Sequence, residues 1–187
     1  TKLGEAYPMS PFLEDQITSL LEDERWDIAY LGMQIVIESL ALAAFGSMLR
    51  NTEEPLLKKL LRYVMSDEAR HVAFGVLSLK EYYAELSDAE IRERQEFAFE
   101  AAVRMRDRFL QQEVWDRMGL DVKAAVKMAM EDEGRRMFQV MLFSKIVPNC
   151  KKLGLLDANR GWLRERLTEI GVIQFEDWVD TGEEYAA

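Results

Sequence analysis

The chain has 187 residues, 49% of them apolar and 31% charged, with four prolines, ten glycines and a formal net charge of −10. That length has room for one ordinary domain with a sizeable core, and the balance of residues is that of a folded soluble protein rather than a disordered one. The acidity argues against nucleic acid as the main partner, because neutralising phosphates needs clustered Lys and Arg.

A single cysteine, Cys150, excludes an intrachain disulfide and leaves no CxxC or zinc-type pattern. A cytoplasmic protein is the expectation. The chain opens on Thr1 in "TKLGEAYPMSP", the kind of opening expected of a processed chain or one cut from something longer.

Helix signals recur along the chain with turn signals between them. Ser10 followed by Pro11 starts a short helix over about 10–22, and a second runs from about 24 to 50, ending at Asn51. This second helix holds the most apolar run, "LGMQIVIESLALAAFGSML" (31–49), which is long enough to be weighed as a membrane span. Gln34 and Glu38 interrupt it, and a buried core helix is the better reading. Thr52 caps a third helix over 53–84, with Pro55 in its first turn, where a missing N–H does no harm.

"SDAE" (87–90) is a capping box that opens a fourth helix reaching Gly119, and Asp121 caps a fifth that continues to the Pro148 region. A short helix near 158–170 and an acidic tail follow, with Phe175 and Trp178 placed to pin the tail to the body. No strand pattern or tandem repeat stands out. Long helices joined by short turns pack as antiparallel neighbours, so the fold class is all-α, a helical bundle in one domain spanning 1–187. It divides into a hairpin (24–84), supporting helices (87–147) and a C-terminal helix with its tail (156–187).

The chemistry concentrates in the hairpin. His71 is the chain's one histidine, in "YVMSDEARHVAF" (63–74), three residues after Glu68 and so on the same helix face. Glu38 and Glu68 are 30 residues apart, and their midpoint is residue 53, inside the turn "NTEEP" (51–55). Residues equidistant from a hairpin turn sit at one height, here roughly 20 Å from the turn at ~1.5 Å per residue. Two carboxylates and an imidazole therefore converge between apolar helices, where unpaired charge is costly and needs a compensating cation.

An ExxH on a helix is common by chance, and a lone core histidine is usually a packing residue. The level-matched Glu38 favours a metal site over both, because a mid-helix Glu in an apolar run is rare without a partner. Oxygen ligands with one imidazole suit iron or manganese better than tetrahedral zinc. A Glu from one helix with Glu-x-x-His from another is half of a known bundle metal site. Asp67, beside Glu68, is the type of carboxylate that orients a metal-bound imidazole from behind.

Carrying the same levelling onward brings Arg106 opposite Glu133. A buried ion pair is the favoured reading there, with Glu133 as an additional metal carboxylate the alternative. Tyr30 reads as a packed tyrosine, Arg70 as a partner for nearby carboxylates, and the ten methionines as core filler.

At these residues the sequence becomes recognisable. "RWDIAYLGMQIVIESLALAAF" (25–45) followed by "VMSDEARHVAFG" (64–75) resembles the second half of the ferritin-like di-iron carboxylate proteins. These include the small subunit of class I ribonucleotide reductase and the hydroxylases of bacterial multicomponent monooxygenases. The whole chain looks like bacterial ferritin-like domain proteins, and "LFSKIVPN" (142–149) fits that likeness.

The resemblance implies a ferritin-like bundle in which Glu38, Glu68 and His71 are one iron's ligands and Asp67 supports a histidine. It implies a di-iron or iron–manganese centre that activates dioxygen, as an oxidase or oxygenase acting on a small-molecule substrate. A ferroxidase or iron-storage role is the alternative, and a truncated, metal-free helical interaction domain is a third. The departure is that the family pattern has two such halves and two ExxH motifs, whereas this chain has one. Either the partner half precedes this stretch in a longer chain, or two copies pair as a homodimer, the arrangement that encapsulin-associated ferritins resemble. Neither nucleic acid nor membrane is an expected partner.

Overall fold

A computed structural model gives the architecture of the chain and describes Gly4 and residues 9–179. Among the described residues the structure is helical throughout, with no strand. Helix α1 spans Pro11–Glu22 and is capped by Ser10, whose hydroxyl accepts from the Leu13 N–H. Helix α2 runs continuously over Trp26–Asn51, and helix α3 over Pro55–Tyr83. Glu54 caps α3 by accepting from the Leu56 N–H, one residue before the proline that starts the helix.

Helix α4 spans Asp88–Asp107 and opens on the expected capping box, Ser87 and Glu90 each holding the other's backbone N–H. The next three helices are short: α5 (Gln112–Arg117), α6 (Val122–Glu131) and α7 (Glu133–Met141). Helix α8 (Phe143–Lys152) and helix α9 (Ala158–Glu169) complete the set, followed by a 3-10 turn at Ile173–Phe175.

The main core gathers Leu31, Ile35, Val36 and Leu40 of α2, Leu79 of α3, Ala98 and Met105 of α4, and Phe143, Ile146, Val147 and Cys150 of α8. All residues from Phe143 to Cys150 are buried, which makes α8 a central strut rather than a surface helix. By length and composition Trp26–Asn51 also suffices to cross a membrane, with mean hydropathy 1.8, but half of that apolar window is buried within this fold. A smaller cluster of Leu42, Met65 and Val72 joins the two helices of the α2–α3 hairpin. The hairpin thus packs on the body with one side and turns its other side outward.

Three expectations need correction. The fourth helix does not reach Gly119. It ends at Asp107, passes through a 3-10 turn (Arg108–Leu110) and breaks at Gln111, which is left-handed at φ 55°, ψ 37°. The fifth helix breaks at Asp132, whose extended backbone (φ −72°, ψ 121°) stops α6 while its side chain caps α7 through the Arg135 N–H. Methionine is not mainly core filler: Met65 and Met105 are buried, whereas Met48, Met118, Met128, Met130 and Met137 are exposed.

The C-terminal anchor matches expectation as far as the structure describes it. Phe175 is buried and meets Trp178 edge-to-face at 5.7 Å, while Lys151 and Arg164 pair with Asp177 and Glu176. The acidic tail from residue 180 onward lies outside the described residues.

Candidate metal centre

The apolar run of α2 carries an irregularity that positions its one carboxylate. Leu31–Ile37 is wound as a π-helix, and the Glu38 N–H donates to the Met33 carbonyl five residues back. A π-turn widens the helix and offsets all that follows it, a device often found beside functional side chains.

Close helix approach fixes the same region. A Cβ on Gly75 of α3 would lie 2.5 Å from Gln34 Cβ, so only glycine lets the two helices meet at that height. From behind, the buried Asn149 of α8 donates from Nδ2 to Ser39 Oγ at 3.1 Å and to the Lys145 carbonyl at 2.8 Å. With Ser39 held inward, its neighbour Glu38 is directed along the hairpin toward α3.

There it meets the residues that the spacing predicts. His71 Nδ1 lies 3.5 Å from Glu38 Oε1 and 3.4 Å from Glu68 Oε2. One ligand atom from each residue falls within 4.8 Å of the others. Donors bound at about 2.1 Å to one ion are about 3–4 Å apart, so small side-chain rotations close the three around a cation.

Burial is graded across the cluster. The Glu38 side chain is 15% exposed, Glu68 24% and His71 58%, so the imidazole stands on the open side. Burial holds the Glu38 carboxyl above the usual carboxylate range; the neighbouring Glu68 charge adds to the rise and His71 opposes it. Glu38 Oε2 is buried with no hydrogen-bond partner, and so is Gln34 Oε1 one turn earlier.

An orphaned buried carboxylate oxygen requires an explanation, and a bound cation is one of the few adequate ones. Two carboxylates and an imidazole are donors that iron and manganese accept. Three ligands leave an ion with open positions, so the set fits a metal and does not saturate it.

The other candidates fall elsewhere. Asp67 pairs with Arg70 on the exposed surface of α3 and makes no bond to His71. Tyr30 is a packing residue, edge-on to Trp26 at 5.4 Å and beside Phe74 at 5.9 Å. The expected Arg106–Glu133 pair is absent: Arg106 binds Asp107, and Glu133 stands exposed in the first turn of α7. The breaks at Gln111 and Asp132 destroy the continuous register on which that pairing depends.

Two features of the surroundings have no clear sequence signal. Asp27 and Arg94 form a fully buried bidentate pair, at 2.9 and 3.2 Å, that clamps the start of α2 to α4. Gln34 does interrupt the apolar run, but as an uncharged residue it draws no attention to itself. No family model matches the chain, and no match is found among curated proteins or solved structures.

Proposed function

We propose that the protein is a ferritin-like carboxylate-bridged metal protein whose α2–α3 hairpin supplies half of a di-iron, or iron–manganese, centre for oxidase or oxygenase chemistry. The observation that carries this reading is the convergence of Glu38, Glu68 and His71, with the second carboxylate oxygen of Glu38 buried and without a hydrogen-bond partner.

Glu38 and Glu68 bring two negative charges and hard oxygen donors to one point, and His71 brings a neutral nitrogen donor through Nδ1. An iron pair held there supplies the electrons for reducing dioxygen. The protein's part is positional. Ser39 and Asn149 lock the rotation of α2, Gly75 sets the helix separation, and Leu42, Met65 and Val72 pack the two helices against each other.

Elemental analysis after anaerobic loading with ferrous iron tests the reading. About one iron per chain is expected, falling at least tenfold in both Glu38→Ala and His71→Ala. Metal content unchanged by either substitution overturns it. Turnover of many irons per site would assign the iron-storage role instead.

A second reading rests on the distances themselves. His71 Nδ1 lies within 3.5 Å of both carboxylates, so the three side chains hold one another as a polar cluster within a metal-free interaction domain. That reading predicts no iron retained and no oxygen uptake.

A further inference from the structure

Three irregularities of the α2–α3 hairpin coincide at Gln34. It is the central residue of the π-turn Leu31–Ile37, which ends where Glu38 begins. It is also the residue that Gly75 admits, since a Cβ on Gly75 would lie 2.5 Å from Gln34 Cβ and 3.2 Å from its Cγ. Its amide oxygen is buried with no hydrogen-bond partner, as is Oε2 of Glu38.

These features hold a polar side chain in an otherwise apolar run, "LGMQIVI". An apolar residue there would bury no unpaired acceptor. A carbonyl taken out of water without a replacement bond costs free energy, so the Gln34 oxygen calls for a partner that the chain itself does not supply.

Position and charge say what that partner is. Gln34 and Glu38 are four residues apart on one face of α2, about 5–6 Å between Cβ atoms. Two ligands at that spacing can hold one ion, as paired histidines do in helical zinc sites. Gln34 faces Gly75 as Glu38 faces His71, and Gly75 follows His71 by four residues, so the two layers are adjacent along the hairpin. Glu38 and Glu68 together neutralise a divalent cation, and His71 adds a neutral nitrogen. A third carboxylate would leave the half-buried cluster with an excess negative charge. An amide carbonyl adds a hard oxygen donor and no charge.

We infer that Gln34 is a fourth protein ligand of the cation, bound through its amide oxygen. The inference rests on the metal reading above, and the experiment separates the two.

Mn²⁺ is the probe, because it accepts carbonyl oxygen. Chelator-treated protein is titrated with Mn²⁺, and the free ion is followed by its EPR signal. Glu38→Ala should lower the affinity at least tenfold, which checks the metal reading itself. Gln34→Met keeps the length of the side chain but offers a thioether, a soft donor that suits Mn²⁺ poorly. Its affinity should also fall at least tenfold, while without metal it melts no lower than wild type, because the orphaned acceptor is gone. Gln34→Glu keeps the oxygen and should bind at least as tightly as wild type.

A smaller loss in Gln34→Met, with Glu38→Ala behaving as expected, overturns the assignment and leaves the metal reading intact. A Gln34→Met protein less stable than wild type without metal also overturns it, since the amide then makes a bond within the protein. Weaker binding in Gln34→Glu does the same, because the oxygen is then not the donor. Wild type that binds no Mn²⁺, or that Glu38→Ala matches, removes the metal reading and this inference with it.

Discussion

Replacing Glu38 with methionine keeps the length of the side chain and removes the buried carboxylate. In the metal-free protein this should stabilise the fold. Glu38 Oε2 has no hydrogen-bond partner, and a buried unsatisfied acceptor costs about 1–3 kcal/mol. For a chain of this size that corresponds to a melting temperature higher by roughly 2–10 °C.

The pH dependence has a fixed sign. Burial raises the Glu38 carboxyl above its ordinary 4.5, so between 4.5 and the raised value the folded state holds more protons than the unfolded one. Wild-type stability from this group is therefore intact below about pH 4.5 and declines as pH rises through the raised value. The gap between wild type and Glu38→Met should be small in acid and full at neutral pH. Thermal unfolding of chelator-treated protein at pH 4.5 and 7.5 measures it. Iron should reverse the order by stabilising only the wild type. A Glu38→Met protein less stable than wild type at pH 7.5 without metal would refute the argument, because the carboxylate would then make a net favourable interaction of its own.

Three further consequences follow from packing and charge. Arg94→Leu strands Asp27 as a buried charge and should cost about 3–5 kcal/mol in urea unfolding, with most of it recovered in the double variant Asp27→Leu/Arg94→Leu. Gly75→Ala places a Cβ 2.5 Å from that of Gln34 and should cost about 1–3 kcal/mol, with a loss of iron disproportionate to the loss of stability. Asp23 is held at about 2 by the Arg25 guanidinium that donates to it. Its contribution to stability is complete above 3.8 and fades as pH falls toward 2; by carboxyl NMR the midpoint should move toward 3.8 in Arg25→Ala.

The sequence was most legible where geometry is local. Glu38 and Glu68 could be levelled because a short turn joins two uninterrupted helices, and counting outward from it preserves height. Repeating the count across the next two turns failed at Arg106 and Glu133. Gln111 and Asp132 each break a helix with no proline or glycine at the site to announce it, and every residue beyond loses its register. The π-turn was equally hidden, since "LGMQIVI" has the composition of any core helix. Asp27 and Arg94 were hidden for another reason: Arg94 lies in the charged stretch "EIRERQE", where nothing separates the buried arginine from Arg92 at the surface. The Glu38, Glu68 and His71 cluster was visible, but the surroundings that give it meaning came only from packing.

Those surroundings explain why one helix can be both core and site. On its inner side α2 is committed, with Leu31, Ile35 and Leu40 sealed in the core and Ser39 tied to Asn149. That commitment leaves Glu38 no freedom to turn outward into solvent, so its carboxylate stays where desolvation is unfavourable. The strain is tolerable only if the folded body exceeds it many times over, as a core of this extent does, or if a cation removes it. On α3 the balance is reversed. Met65 and Val72 hold the helix down, while the opposite stripe spends five large apolar side chains on solvent. A helix that needed only to stand on this body would carry lysine and glutamate there. The unsatisfied carboxylate between the helices and the uncovered stripe on the far side of α3 are separate costs, the first relieved by a cation and the second by a covering surface.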